Sequence, residues 1–286
     1  MSLFNDTAQL FTRILELVYV TEQSSNNRRI NRCMHCHDDV AELVFVCSGK
    51  GTYTCDGGSC EIYPGDFLLS NLGDMHEVHS LLETEIGDYC FGIANLQLPG
   101  QEIGYMTSAQ EGFVRPARDR LTEMKTICRS IYDNVLSPDP FARASAHHLF
   151  MGMLLTALST PADARAQGNT RERTLANRIQ RYIAAHYTEP LTLETISEEL
   201  NISPYYVSHV FKQEYGFSPI HFMIRCRIGE AQNLLISSDY SATQIGSMVG
   251  YETTNHFNSM FKKNTGVPPV QYRRNYFEQM RGRRCQ

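Results

Sequence analysis

The sequence predicts an α+β chain. An N-terminal β-barrel and a helical pair come first, and an all-α domain of two helix-turn-helix units follows. Three observations carry that prediction. Residues 41–93 read as short strands broken by glycine and proline. Past Pro116 the apolar period becomes helical. In the C-terminal part, a pattern of Phe, Lys, Gly and Pro recurs at an offset of 50.

The strands come first. "ELVFVCS" (42–48) is apolar and β-rich, and Gly49 and Gly51 break it. "TYTCD" follows, then Gly57-Gly58, a hairpin signal. "CEIY" runs into Pro64-Gly65-Asp66, a turn, and "FLLS", "HEVHSLL" and "DYCFGIA" continue the pattern. Strands this short and evenly punctuated build a sandwich or a small barrel.

The helical pair is next. Leu121, Met124, Ile127, Cys128, Ile131 and Val135 share one helical face, and Ser137-Pro-Asp-Pro140 ends that helix. "FARASAHHLFMGMLLTAL" is a second helix, antiparallel to the first. Its apolar end needs burial, against its own domain or against a second copy of the chain. Residues 159–172 are small, polar and aperiodic, and read as a linker. The expected organisation is thus a domain at 1–158, a linker at 159–172 and a domain at 173–286.

Charge divides along the same line. Residues 1–170 carry 12 Lys and Arg against 21 Asp and Glu, a net of −9. Residues 171–286 carry 14 against 10, a net of +4. A basic second half is compatible with nucleic acid. The nine cysteines are scattered and odd in number, which does not read as a disulfide framework. No apolar run is long enough to span a membrane, and the N-terminus lacks the charge and apolar pattern of a signal peptide. The expected location is the cytoplasm.

The repeat is the strongest internal signal. Phe211-Lys-Gln-Glu-Tyr-Gly216-Phe-Ser-Pro219 matches Phe261-Lys-Lys-Asn-Thr-Gly266-Val-Pro-Pro269. Upstream, Ile196 and Leu200 match Ile245 and Val249 at an offset of 49, so one residue is inserted in the turn. Each unit reads as helix, turn, helix: 192–199 with 204–214, then 241–248 with 253–263. Thr192, Ser203 and Ser241 sit where N-caps belong, and Gly216 and Gly266 where left-handed stops belong. This is the helix-turn-helix pattern, whose second helix enters a DNA major groove. Val207, Val210, Phe211, Phe257, Met260 and Phe261 should face inward. Tyr205, Tyr206, His209, Lys212, Thr254, Asn255, Asn258, Ser259 and Lys262 are left to meet double-stranded DNA, through base edges and phosphates. An ordinary helical pair with a solvated face is the alternative.

Here the chain resembles the AraC/XylS family of bacterial transcription regulators. Ala231, Leu234-Leu235, Ile245, Val249-Gly250-Tyr251, Phe257, Phe261-Lys262, Gly266, Pro268-Pro269 and Tyr272-Arg273 carry the resemblance over about residues 174–276. The pattern departs at Gly246, usually Ala, and at His209 and Ser259, where Arg is frequent. The resemblance implies two helix-turn-helix units joined by a long helix at about 219–236. It also implies contact with RNA polymerase and activation more often than repression. The apolar helices at 116–158 are expected to form the interface of a homodimer.

The family's sensor half is often a cupin-like barrel that binds a small-molecule effector, a carbohydrate in some members. Residues 32–37, "RCMHCH", bear on this. Cys33-Met-His-Cys36-His37 spells the CxxCH of c-type haem attachment, and also offers a redox pair and zinc ligands. Yet His35-Cys-His37, four residues, Glu42, six residues and Gly49 satisfies the first cupin motif. Gly58, Pro64-Gly65 and His76 satisfy part of the second, with Asp66 where a Gly is usual. On one strand His35 and His37 would point the same way and Cys36 the other. With Glu42 and His76 they make either an effector pocket or a site for a divalent transition metal, since imidazole and carboxylate suit Fe(II), Mn, Ni or Zn. The expected function is an effector-responsive DNA-binding regulator without enzymatic activity. The alternative is a metal-containing cupin enzyme, or a metal or redox sensor with a helical tail.

Overall fold

The computed structural model describes residues 15–23, 33–55, 58–80, 84–108, 111–163 and 170–284, the side chains of 170–173 and 279–284 excepted. They form two compact units: residues 36–163 with the N-terminal strand, and the C-terminal helices with the short segment at 33–35.

The first unit is built on two antiparallel sheets. Its strands are β1 (Glu16–Gln23), β2 (Ala41–Ser48), β3 (Gly51–Cys55), β4 (Gly58–Ile62), β5 (Asp66–Ser70), β6 (Glu77–Ser80), β7 (Gly87–Ala94) and β8 (Val114–Pro116). One sheet runs β1-β7-β2-β5-β8, the other β4-β3-β6. Of the sandwich and barrel that the strand pattern allowed, the ladders describe two separate sheets. β2 is central, and its first six residues are buried on both faces. That is why "AELVFV" is continuously apolar except at Glu42. β3 and β4 pair antiparallel with Cys55 opposite Gly58, so Gly58 belongs to the ladder and not to the turn, and Gly57 lies outside the described residues.

Helices α1 (Leu121–Leu136) and α2 (Pro140–Ser159) cover the five-stranded sheet. Met124, Cys128 and Ile131 on α1 and Phe150, Met153, Leu154 and Ala157 on α2 join the core of Phe45, Phe67 and Phe91. At about 25 cal/mol per Å², such burial stabilises each large side chain by roughly 2 kcal/mol. The expected linker starts inside ordered structure. α2 reaches Ser159, the Asp163 N–H donates to the Val114 carbonyl, and Arg118 lies 3.6 Å from the Asp163 carboxylate.

The second unit holds α3 (Thr170–His186), α4 (Leu193–Leu200), α5 (Pro204–Tyr215), α6 (Pro219–Ser237), α7 (Ala242–Met248), α8 (Thr254–Thr265) and α9 (Pro269–Arg284). The caps lie where the sequence places them. Thr192 and Ser241 form capping boxes, Ser203 accepts from the Tyr206 N–H, and Gly216 and Gly266 are left-handed with φ of 80° and 82°. One cap differs from expectation: Thr253 lies outside α8 and caps it. α6 is buried along most of its length and ties the unit together. Its Arg227 donates to the carbonyls of Tyr187, Glu189 and Gly250, and Arg273 of α9 donates to those of Leu235, Ser238 and Tyr240 at its end.

One expectation is overturned here. His35 and His37 do not share a strand, because β2 begins only at Ala41. The Cys33 N–H donates to Gln232 Oε1 at 2.7 Å, and the Met34 carbonyl lies where a Cβ on Gly229 would be. Residues 33–35 therefore pack on α6, which stops them from extending β2, and strand alternation cannot orient these two histidines.

Candidate functional site

The polar site of the first unit grows from a row across four strands. Tyr19 on β1 stands opposite Gly92 on β7, Gly92 opposite Glu42 on β2, and Glu42 opposite Ser70 on β5. Residues in register share a sheet face, so Tyr19 and Glu42 point the same way with only a glycine between them. Glu42 and His76 are buried, and His37 is half-buried. His76 Nε2 lies 2.8 Å from Glu42 Oε2, and His37 Nε2 lies 3.2 Å from Oε1. The Tyr19 hydroxyl donates to the same Oε1. The ligand atoms of His37, Glu42 and His76 all fall within 4.8 Å of one another.

Burial pushes the Glu42 carboxyl up, but the hydrogen bonds and charges of His37 and His76 outweigh it and hold the group well below the usual carboxylate range. The His76 ring is more informative still. Its Nδ1 lies 2.9 Å from the Asp74 carbonyl and its Nε2 faces the carboxylate. Two acceptors are satisfied only by an imidazolium, or by a neutral ring whose Nε2 turns its lone pair to a cation. An Nδ1–H donating to a backbone carbonyl is the arrangement that orients histidine ligands. The donor set thus fits a transition-metal ion. It fits equally a ligand bearing hydroxyl or amine groups, since Glu42 is a buried acceptor.

Of the four residues read from the sequence, His37, Glu42 and His76 converge within the first unit. His35 belongs to the segment packed on α6, with its Nδ1 2.9 Å from the Cys33 carbonyl. Tyr19 was missed. The available sign was Gly92 inside "DYCFGIA", because a glycine within a strand marks a close approach by another group.

In the second unit the two repeats differ at one place. The first turn ends α4 with Asn201 at φ 55°, and the second has Gly250 at φ 89°. These two are 49 apart, while the caps Ser203 and Thr253 are 50 apart, so the inserted residue lies between the left-handed position and the cap. Val207, Val210, Phe211, Phe257 and Phe261 are buried as expected, whereas Met260 is only half-buried. Tyr205, Tyr206, His209 and Lys212 are exposed on α5. On α8, Asn255, Ser259 and Lys262 are exposed and Thr254 and Asn258 half-buried. Tyr205 is 79% exposed, and its ring lies parallel to that of His209, with 3° between planes and 6.0 Å between centroids. These side chains present hydroxyl, imidazole, amide and ammonium groups on second helices, with no arginine among them.

Comparison with known proteins agrees with both halves. An AraC-like ligand binding domain model matches residues 17–167, more than half of the chain, and a helix-turn-helix domain model matches residues 196–275. The HTH-type transcriptional regulator YdiP of Escherichia coli (strain K12) is 26% identical over 246 residues, covering 85% of this chain and 81% of that one. The HTH-type transcriptional activator RhaR of the same strain is 26% identical over 245 residues, covering 84% and 86%. Among solved structures, the C-terminal domain of AraT from Geobacillus stearothermophilus is 42% identical over 35% of this chain and 84% of that one, with a TM-score of 0.35. With a ligand-binding domain in front and a helix-turn-helix domain behind, the chain belongs to the AraC family of transcription regulators.

Proposed function

We propose that residues 1–158 sense a small effector at His37, Glu42 and His76, with His35 the fourth residue of the motif. Residues 173–286 read DNA, and the 159–172 linker lets effector occupancy alter how the DNA-binding domain engages its operator. An effector acts only if it binds two arrangements of the protein unequally. The observation that carries this reading is the convergence of His37, Glu42 and His76 within a β unit matched by a ligand-binding domain model.

Tyr205, Tyr206, His209 and Lys212 contact one major groove, and Thr254, Asn255, Asn258, Ser259 and Lys262 the next. Their exposure on the second helix of each motif supports this. The chain acts in the cytoplasm as a homodimer formed through α1 and α2. Like the activator RhaR, it promotes transcription, through contact with RNA polymerase. It has no enzymatic activity of its own. A genomic binding selection with the full chain at ~0.1 M salt tests the DNA reading, and salt is fixed because phosphate contacts dominate affinity. A specific operator is expected, and its absence would sink the proposal.

A second reading of the effector has its own support. His76 Nδ1 lies 2.9 Å from the Asp74 carbonyl, the orientation of a ligating histidine, and its Nε2 is directed toward Glu42, where an ion would sit. A metal assay on protein purified without an affinity tag separates an ion from an organic ligand. No helix among the described residues is long and apolar enough to cross a membrane.

A further inference from the structure

Resting on the reading of the β unit as a metal-binding sensor, we propose that Tyr19 is a further ligand of that site, and that its phenolate selects ferric iron.

The argument begins with Gly92. A Cβ there would lie 2.3 Å, 2.5 Å and 2.7 Å from Cε1, Cζ and Cδ1 of the Tyr19 ring. No other residue type leaves room for the ring to lie across β7 and bring its hydroxyl to Glu42. The row Tyr19–Gly92–Glu42 is therefore a built arrangement, made by a glycine in the interior of a strand, where glycine is otherwise unfavourable. The Tyr19 hydroxyl and His37 Nε2 meet the same carboxylate oxygen, and the Tyr19 and His37 ring centroids are 6.5 Å apart. The phenol oxygen thus stands beside the point on which His37, Glu42 and His76 converge.

Chemistry assigns the ion. Imidazoles with one carboxylate accept most divalent first-row metals. A phenolate adds a second anionic, hard oxygen. Two anionic oxygens beside neutral imidazole nitrogens match a trivalent hard ion better than Zn²⁺ or Ni²⁺. On binding, the Tyr19 O–H bond breaks and its proton passes to water. The Fe–O bond forms, and the iron stays ferric throughout.

The test uses the full chain, purified without an affinity tag and titrated with ferric nitrilotriacetate. Unbound iron is removed by gel filtration. Wild type is expected to retain stoichiometric iron and to show a visible phenolate-to-iron(III) charge-transfer band. Tyr19→Phe should retain iron and lose the band. Gly92→Ala, which displaces the ring, should weaken it. His76→Ala should lose the iron. Iron-loaded wild type without the band, or an equal band in Tyr19→Phe, overturns the role of Tyr19 and leaves the metal reading standing. Wild type that retains no iron overturns the proposal, and wild type that also carries no metal in the assay on untagged protein overturns the metal reading with it.

Discussion

Glu42 interrupts the buried apolar run of β2, so its charge needs partners there. His76 and His37 supply them, and the carboxyl is held well below the usual carboxylate range even though burial alone would raise it. The sign of the linkage follows. A depressed carboxyl contributes stability that is fully present above the unfolded value near 4.5 and is lost as pH falls through the folded value. Glu42→Gln should therefore destabilise the unit at pH 7 by about 2 kcal/mol, the scale of a hydrogen bond to a charged group. The gap between the two proteins should close as pH drops below 4.5, as denaturant melts at a series of pH values would record. A gap that stays constant down to the acid transition would remove Glu42 from the network. The cysteines behave differently. Burial pushes the Cys47 thiol up to about 12, with Lys125 opposing, and burial also pushes the Cys128 thiol up. Neither supplies thiolate at neutral pH, so both should resist alkylation at pH 8 until the protein is unfolded. Peptide mapping after iodoacetamide treatment would detect either one reacting early.

The helices of the second unit were legible because capping residues, glycine stops and a repeat all report local backbone conformation. The one-residue insertion was legible too, and the structure places it between the left-handed position and the cap. The site in the first unit was only half legible. Glu42 and His76 follow from motif spacing, but the strand argument for His35 fails because Gln232 and Gly229, nearly 200 residues away, fix where residues 33–35 run. No local pattern reports such a contact. Tyr19 was hidden for the same reason, since its partner lies across an intervening strand. Gly246 shows an element departing from its family and the cause. The family usually has Ala there, yet here a Cβ would lie 2.9 Å from Phe257 Cγ and 3.1 Å from its Cβ. Ala would improve helix propensity by about 1 kcal/mol. The clash falls near the stem of Phe257, which has little freedom to move, and overpacking costs roughly 1–3 kcal/mol. Gly246→Ala should thus lower the melting temperature of the second unit. A rise would mean that α7 and α8 have slack between them.

Over the whole molecule, the property that matters is how rigidly α5 and α8 are held to each other within the second unit. α6 runs between the two motifs with eleven buried residues, and Arg227 pins the second turn to the segment after α3 through three carbonyls. Two recognition helices on so stiff a connection cannot adjust their spacing. They should read successive major grooves on one face of the duplex, about 34 Å apart. An insertion of about five base pairs between the two contacted segments, half a helical turn, should therefore abolish specific binding. A protein with freely hinged motifs would retain much of its affinity. Single substitutions sort the contacts further. Lys212→Ala and Lys262→Ala should each lower the slope of log affinity against log salt by about one and leave sequence preference intact. His209→Ala and Asn255→Ala should each relax preference in one segment only, if their helices enter different grooves as proposed. Binding measured on half-turn and full-turn insertions in the same salt series decides the matter. If affinity survives the half-turn insertion, α6 is not the rigid spacer its burial implies.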